Sequence, residues 1–210
     1  MKIVVLADED SRKEFNAKIT GADTKVTYIK GLRELITNDI DHSSADAFII
    51  LKEGINNQDH TIFKRKPVFI NSVTNTLKAL ELPENFYRFN GWPGFISREI
   101  WEIAGEEKNV ENIFEKLKWK HISVADEPGL ISARIIAMII NEAYFALGED
   151  VSSKEEIDIA MKLGTNYPYG PFEWGKKIGL QKVHDLLRKL NETESRYSIA
   201  SAMKNELINF

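Results

Sequence analysis

Three groups of residues in this 210-residue chain could carry chemistry: four histidines, a cluster of acids behind an apolar run, and a stretch dense in glycine and aromatic side chains. The histidines stand at 42, 60, 121 and 184. None is spaced from another as metal ligands are. His121 reads as a strand-end or core residue, His42, His60 and His184 as surface residues, and no metal is expected. Asp8, Glu9 and Asp10 follow the run KIVVL. Three carboxylates at a strand end could hold a cation. Acids in the first turn of a helix also complement its dipole, and they are read as a capped, solvated helix start. The chain has no cysteine, no G-x-S-x-G elbow and no P-loop. Disulfides, thiol catalysis and Cys-ligated metal are thereby excluded.

The third group is KLGTNYPYGPFEWGKKIGL, residues 162–180, with four glycines, two prolines, two tyrosines, Phe172 and Trp174. Gly164 is expected to stop one helix, Asn166 to Gly170 to form a tight turn, and Pro171 to open the next helix at a position that tolerates proline. Phe172 and Trp174 would then pin that helix to a core. Trp92, Trp101 and Trp119 likewise read as core or interface residues rather than a cofactor box.

The elements that must position these groups change character along the chain. Up to about residue 122, short β-branched runs alternate with polar, helix-compatible segments: KIVVLA (2–7), KVTYI (25–29), AFIIL (47–51) and VFINS (68–72). Apolar runs of this kind suit strands covered on both faces, and connections of crossover length predict a parallel sheet of βαβ units. A further amphipathic helix is expected over 109–117 and a closing strand over 120–124. From about Glu127 the pattern is helical. Pro128 is placed in the first turn of a long apolar helix (129–147), with helices following after Ser152 or Ser153 (two registers of a capping box with Glu155 or Glu156), over about 180–190, and over 195–210. The fold class is an α/β Rossmann-like N-terminal domain, 1–124, followed by an all-α C-terminal domain, 125–210.

Charge is balanced. Residues 1–122 carry 18 basic and 19 acidic side chains, and 123–210 carry 10 and 13. Nucleic acid and anionic membrane surfaces are therefore not expected partners. The N-terminus does not read as a signal peptide, and the most apolar stretch contains Arg134, Asn141 and Glu142, as a buried helix would rather than a membrane span. A cytoplasmic protein is expected.

Residues 126–180, from Asp126-Glu127-Pro128-Gly129 through Asn141-Glu142-Ala143 and Ala160-Met161-Lys162 to Gly170-Pro171-Phe172-Glu173 and Gly179-Leu180, resemble the C-terminal domain of the 3-hydroxyacyl-CoA dehydrogenases. The resemblance implies a helical domain that forms the dimer interface and one wall of an acyl-CoA cleft. It also implies a preceding Rossmann domain that binds NAD, and a catalytic histidine oriented by a glutamate. Residues 1–122 are shorter than that nucleotide domain, with the deficit after the second strand.

Carried over position by position, the resemblance puts the glutamate at Glu102, the histidine position at Asn90, twelve residues earlier (or at Pro93 under a different gap placement), and the serine position at Asn75. The family's substrate-contacting asparagine corresponds to Ala133. The three glycines of the first βα turn correspond to Ala7, Glu9 and Arg12, and Ile29 leads to Lys30 and Gly31 where a ribose-binding acid is implied. An asparagine amide cannot take the proton that an imidazole takes as hydride leaves. The expectation is therefore a family member degenerate at its NAD and catalytic sites, a pseudoenzyme. It would have no cofactor and would act as a homodimeric binding or regulatory protein with an acyl-CoA-like ligand. One alternative is an active NAD-dependent 3-hydroxyacyl-CoA dehydrogenase of fatty-acid oxidation using unusual residues. Another is a structural subunit of a β-oxidation assembly.

Overall fold

A computed structural model describes residues 1–18, 23–37, 43–54, 60–106 and 110–208. The chain divides into two compact units, Met1–Leu130 and Ile131–Phe210. The first is Rossmann-like α/β and the second is all-α.

Among the described residues of the first unit, seven strands form one sheet: β1 (Lys2–Leu6), β2 (Lys25–Ile29), β3 (Ala47–Ile50), β4 (Val68–Asn71), β5 (Phe86–Phe89), β6 (Ile100–Ala104) and β7 (Lys120–Ser123). Their order is β2-β1-β3-β4-β5-β6-β7. Strands β1 to β5 are mutually parallel; β6 runs antiparallel to β5 and parallel to β7. The chain steps outward from β1 to β2 and then returns to the far side of β1. The switch point therefore lies between β1 and β3, where crevices open at the carboxyl ends of strands in such sheets.

Both faces of the sheet are covered at its central strands, which is why β1, β3 and β4 read as nearly continuous apolar runs. On one face Ile3, Val5, Ile49, Phe69, Tyr87, Phe89 and Trp101 pack with Phe15 of α1 (Glu9–Lys18) and with Ile113, Phe114 and Leu117 of α3 (Val110–Leu117). On the other, Val4, Leu6, Phe48, Ile50, Val68, Ile70 and Phe86 pack with Leu35 of α2 (Arg33–Ile36) and with Phe63 of a 3-10 turn at His60–Phe63.

Five expected strands form with bounds within a residue or so of those expected. Strands β5 and β6 were not expected. Each is short and carries one charged residue, Arg88 or Glu102, which breaks the apolar signal. The helix expected over 109–117 forms from Val110; Asn109 lies outside the described residues.

The second unit holds α4 (Ser132–Gly148), α5 (Lys154–Thr165), α6 (Pro171–Ile178), α7 (Leu180–Asn191) and α8 (Ser201–Ile208). Three expected bounds change. Gly129 and Leu130 take φ of 83° and 51°, so α4 starts at Ser132 and Pro128 lies in the turn before it. Helix α5 passes through Gly164 and stops at Asn166, in left-handed conformation with φ 56°. The final segment makes a 3-10 turn at Ser195–Tyr197 before α8 begins, and 209–210 lie outside the described residues. Of the two capping-box registers, Ser153 with Glu156 is the one formed.

The turn between α5 and α6 accounts for the density of residues 162–180. Asp158, 8% exposed, reaches from α5 to the start of α6. Its carboxylate accepts the Phe172 and Glu173 N–H groups at 2.8 and 3.2 Å. Pro171 takes the first helical position, where a missing N–H costs nothing. Glu173 accepts the Gly170 N–H at 3.0 Å. A Cβ on Gly170 would stand 2.3 Å from Asp158 Oδ1 and 2.5 Å from its Cα. Gly170→Ala is therefore expected to cost about 1–3 kcal/mol through overpacking. Gly164→Ala, with nothing within 4 Å in a helix, should stabilise by up to about 1 kcal/mol. Paired thermal melts of the two variants check this, and equal shifts would refute the close approach.

Candidate functional site

The carboxyl ends of β4 and β5 lie side by side, with Asn71 paired to Phe89. Asn71 is 4% exposed. Its amide donates to the carbonyls of Leu51 and Gly91 at 2.9 and 3.0 Å, and its Oδ1 accepts the Gly91 N–H at 3.0 Å. This exchange joins the ends of β3, β4 and β5. It also explains Gly91, where a Cβ would stand 2.4 Å from Asn71 Cγ.

Asn90 follows β5 directly. It is 5% exposed, and its Oδ1 accepts the Trp92 N–H at 3.1 Å. In the antiparallel pair, Arg88 lies opposite Ala104 and Phe89 opposite Ile103. Asn90 is the first residue beyond that register, and Glu102 is half-buried at the middle of β6. The two positions thus lie on neighbouring segments, one directly after β5 and the other on the strand that pairs with it. Asn75 is exposed in the loop after β4. Its backbone carbonyl accepts from Ser72 Oγ at 2.7 Å and from Arg88 at 2.8 Å, so the loop is fixed through its backbone.

Sequence reasoning missed the residue that organises this loop. Arg88 is fully buried. Its Nη1 donates to the carbonyls of Ser72, Val73 and Asn75, its Nη2 to the carbonyl of Glu127, and its Nε to the Asp126 carboxylate. Asp126 also accepts the Leu77 and Lys78 N–H groups. Burial pulls the guanidinium below its ordinary pKa, and Asp126 opposes that shift. The available signal was an arginine inside an otherwise aromatic four-residue strand, FYRF.

At the switch point, the N-terminus of α1 is capped by its own side chains. Asp8 Oδ1 accepts the Ser11 N–H at 2.8 Å and the Ser11 hydroxyl at 2.6 Å, and Ser11 Oγ accepts the Asp8 N–H at 3.1 Å. Glu9 pairs with Lys13 at 3.1 Å. Asp8, Glu9 and Asp10 are thus a capped, exposed helix start, as expected. A pyrophosphate approaches such a turn through backbone N–H groups unobstructed by side chains. Here a carboxylate already occupies that role, so this turn does not fit the group in the manner of a glycine loop.

The carboxyl end of β2 differs from expectation. The residue after Ile29 is a lysine, but the Glu34 carboxylate folds back to accept the Lys30 and Gly31 N–H groups at 2.7 and 3.1 Å. An acid therefore stands at the end of β2, supplied by the first turn of α2.

Of the remaining expected positions, Ala133 is fully buried in α4. His121 lies on β7 with its ring 4.7 Å from Phe114. His60 and His184 are half-buried rather than exposed, His60 against Phe86 at 5.0 Å. Tertiary neighbours, such as Phe86 of β5 for His60, cover these small rings, which periodicity alone does not reveal. His42 lies outside the described residues. All four tryptophans are core residues, 8% exposed or less. Among the described residues, no group of three or more His, Cys, Asp or Glu could hold a metal, and no helix is long and apolar enough to cross a membrane.

Residues 129–209 match the family described as 3-hydroxyacyl-CoA dehydrogenase, C-terminal domain. A 3-hydroxyadipyl-CoA dehydrogenase of Escherichia coli K12 is 44% identical over 89 residues, which are 41% of this chain and 19% of that protein. The mitochondrial hydroxyacyl-coenzyme A dehydrogenase of Homo sapiens is 34% identical over 143 residues, 65% of this chain and 46% of that one. The chain spans less than half the length of these curated relatives. The crystal structure of (S)-3-hydroxybutyryl-CoA dehydrogenase from Ralstonia eutropha superimposes with a TM-score of 0.69 at 18% identity, covering 99% of this chain and 93% of that one; this is a likeness of fold.

These matches overturn one expectation. A chain with no cofactor does not agree with a family, and a set of relatives, named throughout as dehydrogenases, a class whose chemistry runs on a redox cofactor. The expectation rested on departures at single positions, in the β1–α1 turn, after Ile29 and at Asn90, and at the second of these the structure supplies the Glu34 carboxylate.

Proposed function

We propose a function from one premise: through residues 129–209 the chain belongs to the 3-hydroxyacyl-CoA dehydrogenase family. It is a homodimeric protein that binds an acyl-CoA-like ligand and has lost the proton relay of a dehydrogenase.

This reading is supported by Asn90, buried directly after β5 where the resemblance puts a histidine, with Glu102 on the neighbouring strand β6. An imidazole can pass a proton to or from a 3-hydroxyl near neutral pH; an amide cannot, and it leaves Glu102 as the one acid–base group of the two. The amide and Glu102 remain able to orient a carbonyl or hydroxyl by hydrogen bonding. General acid–base help is worth about 10²–10⁴-fold, so binding outlasts turnover when it is lost. The test is calorimetric titration with acetoacetyl-CoA, with and without NADH, while NADH absorbance is followed. Saturable binding with oxidation at least about 100-fold below an ordinary turnover of about 10 per second is expected. Turnover near that ordinary rate would overturn the loss of the relay.

The alternative reading, an active NAD-dependent 3-hydroxyacyl-CoA dehydrogenase, is favoured by the Glu34 carboxylate at the end of β2, the place from which an acid meets ribose hydroxyls. In that case Glu102→Gln should lower the rate, since Glu102 is the carboxylate retained at the relay.

The dimer is supported by apolar side chains that the second unit leaves in water. On α5, Ile159 and Leu163 are one turn apart and 54% and 83% exposed, and Ile135 of α4 is 53% exposed. A second copy would cover such a face. Light scattering at micromolar concentration should give twice the chain mass, and Leu163→Glu should halve it. A monomeric wild type would refute the dimer.

A further inference from the structure

Helix α1 turns two charged side chains, one turn apart, toward the segment that joins Asn90 to Glu102. The Glu14 carboxylate accepts the Gly94 N–H through both oxygens, at 2.7 and 3.0 Å. The Lys18 ammonium donates to the carbonyls of Arg98 and Glu99, at 2.5 and 3.2 Å. Between these points the Trp101 indole N–H donates to the Ile96 carbonyl at 2.9 Å. Lys18 is only 7% exposed, and its Nζ lies 5.3 and 5.0 Å from the ring centroids of Trp101 and Trp119. Burying an ammonium is costly unless it is fully used, and an apolar side chain would fill the same space. This lysine satisfies two carbonyls at the point where the chain enters β6, three residues before Glu102.

We propose that Glu14 and Lys18 are positioning residues, through which α1 fixes the 94–99 segment and so sets where Asn90 and Glu102, at its two ends, stand. The inference rests on the proposed function for its ligand measurement alone. The helix whose N-terminus is closed by Asp8 and Ser11 acts instead through its C-terminal half.

The clamp has a signature of its own. Burial pushes the Lys18 ammonium down from 10.5 to about 8, with Glu99 opposing. The other charges near it are Glu14 on the same helix, Lys120, which pairs with Glu99 at 2.5 Å, and the Arg98 guanidinium, 3.9 Å from the Phe95 ring. The folded pKa lies below the unfolded one. Between about pH 8 and 10.5 the unfolded chain therefore binds the extra proton, and the contribution of this group to stability rises with pH. Loss of the clamp's charge is thus separable from unfolding.

The experiment combines three measurements on wild type, Lys18→Met and Glu14→Leu, each first checked by thermal melting. Tryptophan fluorescence of the wild type from pH 6.5 to 9.5 should titrate near 8, without a fall in melting temperature, and Lys18→Met should abolish the step. Amide exchange over 94–99 should quicken in both variants by about tenfold or more, the equivalent of one charge-assisted hydrogen bond. The affinity for acetoacetyl-CoA should weaken in both variants. A flat wild-type profile, or the same step in Lys18→Met, overturns the clamp. Unchanged exchange in both variants, or faster exchange with unchanged affinity, overturns the positioning role. If the wild type does not bind acetoacetyl-CoA, the proposed function fails, and the clamp stands or falls on fluorescence and exchange.

Discussion

Arg88→Met should destabilise the Met1–Leu130 unit by about 3–5 kcal/mol, as breaking a buried charge pair from one side does. Methionine fills much of the same volume, so packing is not the main loss. The loss is of donors. The carbonyls of Ser72, Val73, Asn75 and Glu127 all point at the guanidinium, and leaving a buried acceptor unpaired costs about 1–3 kcal/mol. Asp126 softens the blow, because its side chain is 28% exposed and keeps the Leu77 and Lys78 N–H groups. Asp126→Asn is accordingly the milder change, since its amide oxygen still accepts. Urea unfolding followed by circular dichroism checks both. An Arg88→Met midpoint equal to wild type would mean that the loop after β4 and residues 126–127 hold their places without this staple.

Arg88 also shows where the sequence stopped being legible. Strands β1, β3 and β4 were readable because they are buried on both faces and so are almost wholly apolar, and β2 because Val26, Tyr28 and Ile29 keep a short β-favouring run. Helices α5 and α6 were readable because their ends carry side chains with one evident use, Ser153 and Glu156 at one and Pro171 at the other. Strand β5 is buried equally well, yet one of its four residues is an arginine whose partners lie 13 to 39 positions away. No local pattern encodes such a contact. The same limit hid Glu34, because a carboxylate five residues beyond a strand end is not visibly at that end until α2 folds it back. It hid Glu14 and Lys18, whose partners lie 80 and 81 positions on. The Asn90 and Glu102 positions were found by resemblance. What made them a pair, the antiparallel turn-back of β6, could not be inferred from residues that did not read as strands.

Trp174→Ala should cost the second unit about 3–5 kcal/mol, the range for deleting a fully buried large aromatic. The ring is 2% exposed, and the Tyr169 ring meets its edge at 4.8 Å. Its helix, α6, packs against α4, α5 and α7, so a cavity at residue 174 opens where four helices meet. Collapse into that cavity is restricted on two sides. Gly170 and Asp158 are already closer than a methyl group allows, and Pro171 fixes the backbone of the first turn. For a unit of this size, about 1 kcal/mol moves the melting temperature by roughly 4–8 °C. The transition of the second unit should therefore fall by at least about 12 °C. If a dimer depends on this unit, light scattering should show the variant dissociating at protein concentrations where the wild type does not. Tyr169→Leu, which removes the edge contact and keeps the volume, should cost only about 0.5–1.5 kcal/mol. A Trp174→Ala protein melting at the wild-type temperature would mean that the aromatic density of residues 162–180 is not what holds the corner, and that the carboxylate of Asp158 alone suffices.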